Sequence, residues 1–191
     1  MSFFSKEAEE AINSYLEKLE RKIDELGFEI DEERRKDFIL AVNHSLRLFS
    51  IRHARKRGSK VVKEKDARAS FRFLSPERVI KHGLISPETF LHLEKLRRKH
   101  LKVIREKLAS TDKPKILDAG CQYGRQLMEF LRRGWRADFF GVDIDIEAIT
   151  YGRSVEPSIS FIGADIQGKL PFRDNVFDTI VLHKGSSPHG R

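Results

Sequence analysis

The stretch that decides the fold is Ile116-Leu117-Asp118-Ala119-Gly120-Cys121-Gln122-Tyr123-Gly124. It predicts an apolar strand over 115–119 that ends beside an acid, then a tight turn containing glycine, then a helix over 125–133. Glycine in such a turn lets the backbone approach a ligand closely, and the first turn of the helix offers backbone N–H groups to an anion. A nicotinamide fingerprint would need glycine where the chain has Gln122 and Arg125, and a P-loop is excluded because no Gly-Lys-Ser/Thr follows.

Further strands are predicted downstream of this turn, over 137–142, 158–163 and 177–183, with a helix over 146–152 between the first two. Strands that alternate with helices in this way indicate a parallel sheet with crossover helices.

Acidic residues stand at the ends of two of these strands. Asp143 closes the second strand 23 residues after Gly120, where a carboxylate can accept hydrogen bonds from both hydroxyls of a ribose. Asp165 ends the third strand, where its side chain and the neighbouring backbone N–H groups could face the edge of an adenine.

The order and spacing of these segments resemble the class I S-adenosylmethionine-dependent methyltransferase family over residues 115–183. The likeness is greatest to small-molecule and RNA-modifying members, which carry a Leu-Pro-Phe…Phe-Asp segment like the one from Leu170 to Asp178. The resemblance implies an α/β fold with a Rossmann-like parallel sheet, S-adenosylmethionine as the cofactor, and methyl transfer as the reaction. It assigns Asp118, Gly120 and Gly124 to the first cofactor motif, Asp143 to the ribose and Asp165 to the adenine. Their neighbours Cys121, Ile144 and Ile166 are also predicted to bind the cofactor.

The chain departs from the family pattern in two places. Gln122 stands where the family usually has glycine, and we expect it to narrow the turn and to weaken cofactor binding. The family sheet has seven strands in the order 3-2-1-4-5-7-6, and this chain supplies candidates for the first four only. We therefore expect an incomplete, truncated or frameshifted domain, whose activity stays an open question.

An incomplete sheet would leave strand 177–183 as an open apolar edge, which a second copy, a partner chain or the helices of the first half would cover. The tail over 184–191 shows no pattern and is predicted to be unstructured. No catalytic residue is assigned: His183, at the end of the fourth strand, is a candidate base, and a structural role is favoured for it.

Residues 1–113 are predicted to form a helical region that precedes the sheet domain of residues 114–183. Helices are expected over 5–26, 31–57 and 66–74, from Pro76, and from Pro87 to about 108, because apolar residues recur there at steps of three and four. Ser5, Asp66, Ser75 and Ser86 are the predicted N-caps, and Gly27 is a predicted C-cap.

Charge is distributed unevenly along the chain. Residues 1–33 carry 4 Lys/Arg and 11 Asp/Glu, residues 34–113 carry 23 and 8, and residues 114–191 carry 10 of each. The preferred interpretation is a solvated helical surface whose acidic partner lies in residues 1–33, in a helical cap over the sheet. The alternative is a nucleic-acid-binding or assembly protein with a non-catalytic methyltransferase-like half.

Under that alternative, phosphates would be contacted by Arg52, Arg55, Lys56, Arg57 and Lys60. The segment 55–66, which follows a long helix, resembles the second loop of a histone fold, and this likeness implies phosphate contacts there.

Several classes of protein and site are disfavoured by composition. Cys121 is the only cysteine, so an intramolecular disulfide and a multi-cysteine zinc site are excluded, and no histidines have metal-ligand spacing. Cys121 itself is interpreted first as a small packing residue. No signal peptide is evident and no apolar run reaches the ~20 residues of a membrane span, so a cytoplasmic protein is expected.

Overall fold

The computed structural model describes residues 3–25, 30, 32–72, 74–83, 99, 101–106 and 108–182. The chain divides into two compact units, Met1–Leu96 and Arg97–Arg191. A helical segment over 101–106 thus belongs to the second unit, ahead of the boundary expected at residue 114.

The first unit contains four described helices: α1 (Lys6–Glu25), α2 (Glu32–Lys56), α3 (Glu64–Phe71) and α4 (Pro76–Gly83). The predicted apolar stripe of α1 is buried at Ala8, Ile12, Tyr15, Leu19 and Ile23. The predicted caps of α1 and α4 are confirmed, since Ser5 Oγ accepts the Ala8 N–H at 3.3 Å and Ser75 Oγ accepts the Arg78 N–H at 3.4 Å. Gly27, Ser86 and Pro87 lie outside the described residues.

The prediction that Asp66 caps the third helix is wrong. The helix begins two residues earlier, at Glu64, and Lys63 occupies the N-cap position. The Asp66 carboxylate reaches back to accept the Lys63 N–H at 2.9 Å and also binds Arg57. The local sequence signal is ambiguous because an acid at the third helical position, like a cap, accepts a hydrogen bond from an unpaired N–H at the helix start, here that of the N-cap residue itself.

The loop between α2 and α3 is attached to the chain that enters α1. Val62 is buried there, its N–H donates to Phe3 O at 2.8 Å, and the Ser5 N–H donates to Val62 O at 2.9 Å. The short extended segment predicted around Val62 is therefore a single parallel bridge with Phe4.

The second unit is built around a parallel sheet of β1 (Lys115–Ala119), β2 (Asp138–Asp143), β3 (Ser160–Gly163) and β4 (Thr179–Leu182). Helix α5 (Arg125–Arg132) follows β1 and helix α6 (Ile146–Val155) follows β2. The strand order is β3-β2-β1-β4. The predicted α/β fold with four parallel strands in this order is confirmed, and each strand begins and ends within two residues of its predicted limits.

The two faces of the sheet bury different side chains. On one face Asp118 pairs in register with Gly141, and Gly141 pairs with Phe161. On the other face Leu117, Ala119 and Val142 form a buried cluster. The Leu-Pro-Phe…Phe-Asp segment covers that cluster with Leu170, Phe172 and Phe177, which pack against it.

Asp178, the last residue of that segment, ties β4 to β1. Its Oδ2 accepts the Lys115 N–H at 2.8 Å, and its own N–H donates to Lys115 O at 3.0 Å. β4 is the outermost strand of the described sheet, and its Ile180 and Leu182 side chains are 61% and 70% exposed.

No helix in the described part of the chain is long and apolar enough to cross a membrane. Among the same residues, no group of three or more His, Cys, Asp or Glu side chains is arranged to hold a metal ion.

Candidate cofactor site

Asp143 lies at the centre of the candidate site, at the carboxyl end of β2. Its Oδ2 accepts the Gln122 N–H at 2.7 Å, and its Oδ1 accepts the Asp145 N–H at 2.9 Å. One donor on each oxygen fixes the plane of the carboxylate. Because a carboxylate offers about four acceptor positions, two remain for a ligand. The side chain is thus buried, oriented and still able to accept hydrogen bonds.

The glycine turn after β1 is held against the end of β2. The N–H groups of Gly120 and Cys121 both donate to Val142 O, at 2.9 and 3.1 Å. Gly120 and Gly124 have left-handed φ values of 81° and 82°, which glycine adopts at little cost. These contacts place the turn at the carboxyl edge of the sheet, where parallel α/β sheets bind ligands.

Gln122 also adopts the left-handed region, with a φ of 52°. This conformation costs a residue other than glycine about 1–2 kcal/mol. The same conformation aims the Gln122 N–H at Asp143. The expected narrowing of the turn by its side chain stays a prediction.

Phe161 is a residue of the site region that the sequence interpretation missed. Its ring fills a slot lined by three glycines, one before α5, one in β2 and one in α6. A Cβ added to Gly124, Gly141 or Gly152 would lie 2.5, 2.9 or 2.9 Å from the ring. Gly124 is therefore required by packing as well as by its φ, and not only by the approach of a ligand.

Cys121 is packed into the same region. A Cβ at Gly141 would lie 2.8 Å from its Sγ, and the side chain is buried. Burial, with the negative charges of Asp118 and Asp143, raises the pKa of the thiol above its ordinary value. A thiol in this state is a small apolar packing group, as the sequence interpretation preferred.

Asp118 is the most deeply buried acid near the turn, with 1% of its surface exposed. Burial, followed by the negative charge of Asp143, raises the pKa of its carboxyl to about 7. A cation placed beside these two acids would stabilise the ionised form of Asp118.

The remaining predicted residues follow β2 and β3. Ile144, directly after Asp143, is 68% exposed, and Ile166 is also exposed. Asp165 is exposed, and its Oδ1 accepts the Gln167 N–H at 2.9 Å in a local turn. Within the described residues no hydrogen bond joins Asp165 to the glycine turn. His183, the candidate base, lies outside them.

Comparison with known proteins finds a similarity in the second half of the chain. Residues 116–189 match a family model described as a methyltransferase domain. This segment is thus similar to methyltransferase domains, as its sequence motifs predict. The match covers less than half of the chain, and no curated protein matches it.

Two solved structures are similar to parts of the chain. The PH0226 protein from Pyrococcus horikoshii OT3 is 28% identical, over 50% of this chain and 43% of its own length, with a TM-score of 0.35. The plantazolicin methyltransferase BpumL, in complex with a pentazolic desmethylPZN analog and SAH, is 27% identical, over 61% of this chain and 45% of its own, with a TM-score of 0.37. The matched region thus spans less than half of each structure.

Proposed function

We propose that the protein is an S-adenosylmethionine-dependent methyltransferase that binds its cofactor at the carboxyl edge of β1, β2 and β3. The observation that carries the proposal is the oriented carboxylate of Asp143. It is held by the N–H groups of Gln122 and Asp145, within a segment that matches a methyltransferase domain.

The residues at this edge fit the chemistry of the cofactor. The two remaining acceptor positions of Asp143 suit the two hydroxyls of a ribose. Ile144 offers an exposed apolar surface to the adenine, and we assign Asp165 and Ile166 to the same base. The first turn of α5, with Gly120, Cys121 and Gly124 before it, is assigned to the methionine carboxylate.

Asp118 and Asp143 together suit the cationic part of the cofactor. S-adenosylmethionine carries an α-ammonium and a sulfonium, and either cation would be stabilised near two acids in a poorly solvated edge. When bound, the cofactor supplies a methyl group on a sulfonium that is already a good leaving group. The chain's own residues have to bind, orient and desolvate the reactants.

Isothermal titration calorimetry with S-adenosylmethionine tests the proposal. We expect Asp143→Asn to weaken binding by about 10- to 100-fold, because it removes charge-assisted hydrogen bonds worth about 1.5–3 kcal/mol. Asp138→Asn is the matched control. Asp138 lies at the opposite end of β2 from Asp143, where its carboxylate pairs with Lys113 at 2.7 Å. Equal losses in both variants, or no binding by the wild type at millimolar cofactor, would refute the proposal.

A second candidate function is nucleic-acid binding by the first unit. The observation that favours it is the exposure of Arg55, Lys56 and Lys60 at the end of α2 and in the loop that follows.

Pairing of the outer edge of β4 with a second copy or a partner chain is also proposed, because Ile180 and Leu182 are exposed there. Light scattering tests the pairing by comparing the molar mass of the wild type with that of Ile180→Lys. The same molar mass for both proteins would count against the pairing.

A further inference from the structure

We propose that residues 55–66, the end of α2, the loop that follows it and the first turn of α3, form a rigid cationic surface that binds the phosphodiester backbone of a nucleic acid. We call these residues the basic loop. The inference concerns the first unit and develops the second candidate function above. It does not require cofactor binding by the second unit.

The basic loop holds an excess of positive charge that the described part of the chain leaves uncompensated. Its two acids are already neutralised, Asp66 by Arg57 and Glu64 by Arg68 at 2.7 Å. Five cations are left over, all exposed and none in an ion pair with a described residue: Arg55, Lys56, Lys60, Lys63 and Lys65.

The acidic surface of α1 does not compensate this charge. Its ion pairs with α2 are made nearer the start of that helix, by Glu9 with Arg47 at 2.6 Å and by Asp24 with Arg35. The expected pairing of acidic residues 1–33 with the basic segment therefore holds for Arg35 and Arg47. Among the described contacts it does not extend to the basic loop.

Three sets of contacts hold the basic loop in one conformation. Arg57 Nε donates to Asp66 Oδ1 at 2.9 Å across the two ends of the loop, the Ser59 N–H donates to Ala54 O at 2.9 Å, and Val62 bridges to the entrance of α1. A loop that is already ordered loses little conformational entropy when a ligand binds. Arg57 was predicted as a phosphate ligand, and its pair with the buried Asp66 instead gives it a structural role.

The chemistry of the basic loop selects a nucleic acid over a membrane surface. Peripheral membrane binding combines cations with apolar groups that enter the lipid, whereas Val61, which is 44% exposed, is the one large hydrophobic residue exposed in the basic loop. Nucleic acids present phosphate charges a few ångströms apart, so four or five clustered cations can each replace a counterion. Recognition through phosphates alone predicts little sequence preference.

Fluorescence anisotropy with labelled 20-mer RNA, single-stranded DNA and duplex DNA tests the inference on the full chain without cofactor. For four phosphate contacts we expect log K to fall with log salt at a slope of about −3.6 on duplex DNA. Binding would then weaken about 150-fold between 50 and 200 mM salt. The probe that binds most tightly identifies the kind of nucleic acid.

The decisive variant is the triple change Arg55→Gln, Lys56→Gln and Lys60→Gln. We expect it to lower affinity at least 30-fold at 100 mM salt and to reduce the slope by about 3.

The charge-matched control changes three exposed lysines that pair with acids of their own helix: Lys6→Gln, Lys22→Gln and Lys36→Gln. We expect this control to bind within about 3-fold of the wild type, because screening limits the effect of distant charges. Equal losses in both triple variants, or wild-type binding that does not depend on salt, would overturn the inference. Because no cofactor is present, either result leaves the proposed methyltransferase activity untouched.

Discussion

Gly124→Ala tests whether Phe161 sets the position of the cofactor turn. The new Cβ would lie 2.5 Å from Phe161 Cζ, and φ at this residue is 82°. The left-handed backbone costs alanine about 1–2 kcal/mol, and overpacking against the ring adds about 1–3 kcal/mol. We therefore expect the free energy of unfolding to fall by about 2–5 kcal/mol.

Gly134→Ala is the matched control for the backbone contribution. Gly134 has a similar φ of 74°, but an added Cβ there would meet nothing within 4 Å. Gly134→Ala should therefore lower the free energy of unfolding by only about 1–2 kcal/mol. Urea unfolding followed by circular dichroism measures both changes, and calorimetry with S-adenosylmethionine should show a loss of affinity for the variant at Gly124 only.

A double-mutant cycle supplies the refutation. Phe161→Leu should recover part of the loss in the variant at Gly124, because the shorter side chain vacates the place that the Cβ needs. Equal destabilisation by the alanines at Gly124 and Gly134, or no coupling with Phe161→Leu, would show that the ring does not position the turn.

Three further predictions concern single side chains. Because the pKa of Asp118 is raised to about 7, the folded protein holds a proton that the unfolded chain releases near pH 4, and its stability should fall as the pH rises from 4 to 7. Asp118→Asn should remove this pH dependence from the unfolding curves and raise the free energy of unfolding at pH 8 by up to about 4 kcal/mol. It should also abolish the increase in cofactor affinity that we expect for the wild type as the pH rises through 7. An unchanged pH profile of stability would contradict this prediction. Gln122→Gly should tighten cofactor binding several-fold in calorimetry. The free energy of unfolding should change by less than about 1 kcal/mol, because the relief of left-handed strain is offset by the greater entropy of the unfolded chain. Weaker binding by this variant would count against the expected narrowing of the turn. Arg57→Gln should lower the free energy of unfolding by about 2 kcal/mol, because it leaves the buried Asp66 without its ionic partner. The control Lys56→Gln should leave the midpoint of thermal unfolding unchanged. Similar midpoints for the two variants would exclude a structural role for Arg57.

The sheet was predictable because its signals are local and agree with one another. Each strand is a short apolar run, the first three end beside an acid or a glycine, and the helices between the strands impose a parallel order. The limits of β4 were less accurate, since Phe177 and Asp178 resemble strand residues in the sequence. They lie before the strand because Asp178 is bound to Lys115.

The geometry of the candidate site was only partly predictable. Asp143 was placed by its position at a strand end, but its bonds to the N–H groups of Gln122 and Asp145 depend on the path of two separate backbone segments. Phe161 could not be found from a spacing rule, because the three glycines around it come from different elements. Glycines at 124, 141 and 152 are nevertheless a signal that a bulky side chain needs room there.

The first unit shows how a tertiary contact changes the interpretation of a local signal. An aspartate after a loop is a common N-cap, and Asp66 was predicted as one. Its carboxylate is bound by Arg57, nine residues earlier, and a helix that starts at Glu64 brings the two together. Charge counting placed the basic segment correctly but could not tell Arg57, which holds the loop, from its exposed neighbours.

The central claim is that the carboxyl edge of the sheet binds S-adenosylmethionine. Its most direct test is the titration of ¹⁵N-labelled protein with S-adenosylhomocysteine, followed by amide chemical shifts. We expect the largest shifts over residues 120–124 and 143–145, with little change at Trp135, Arg136 and Asp138 on the opposite edge. No shifts at saturating ligand, or the largest shifts at that opposite edge, would contradict the account.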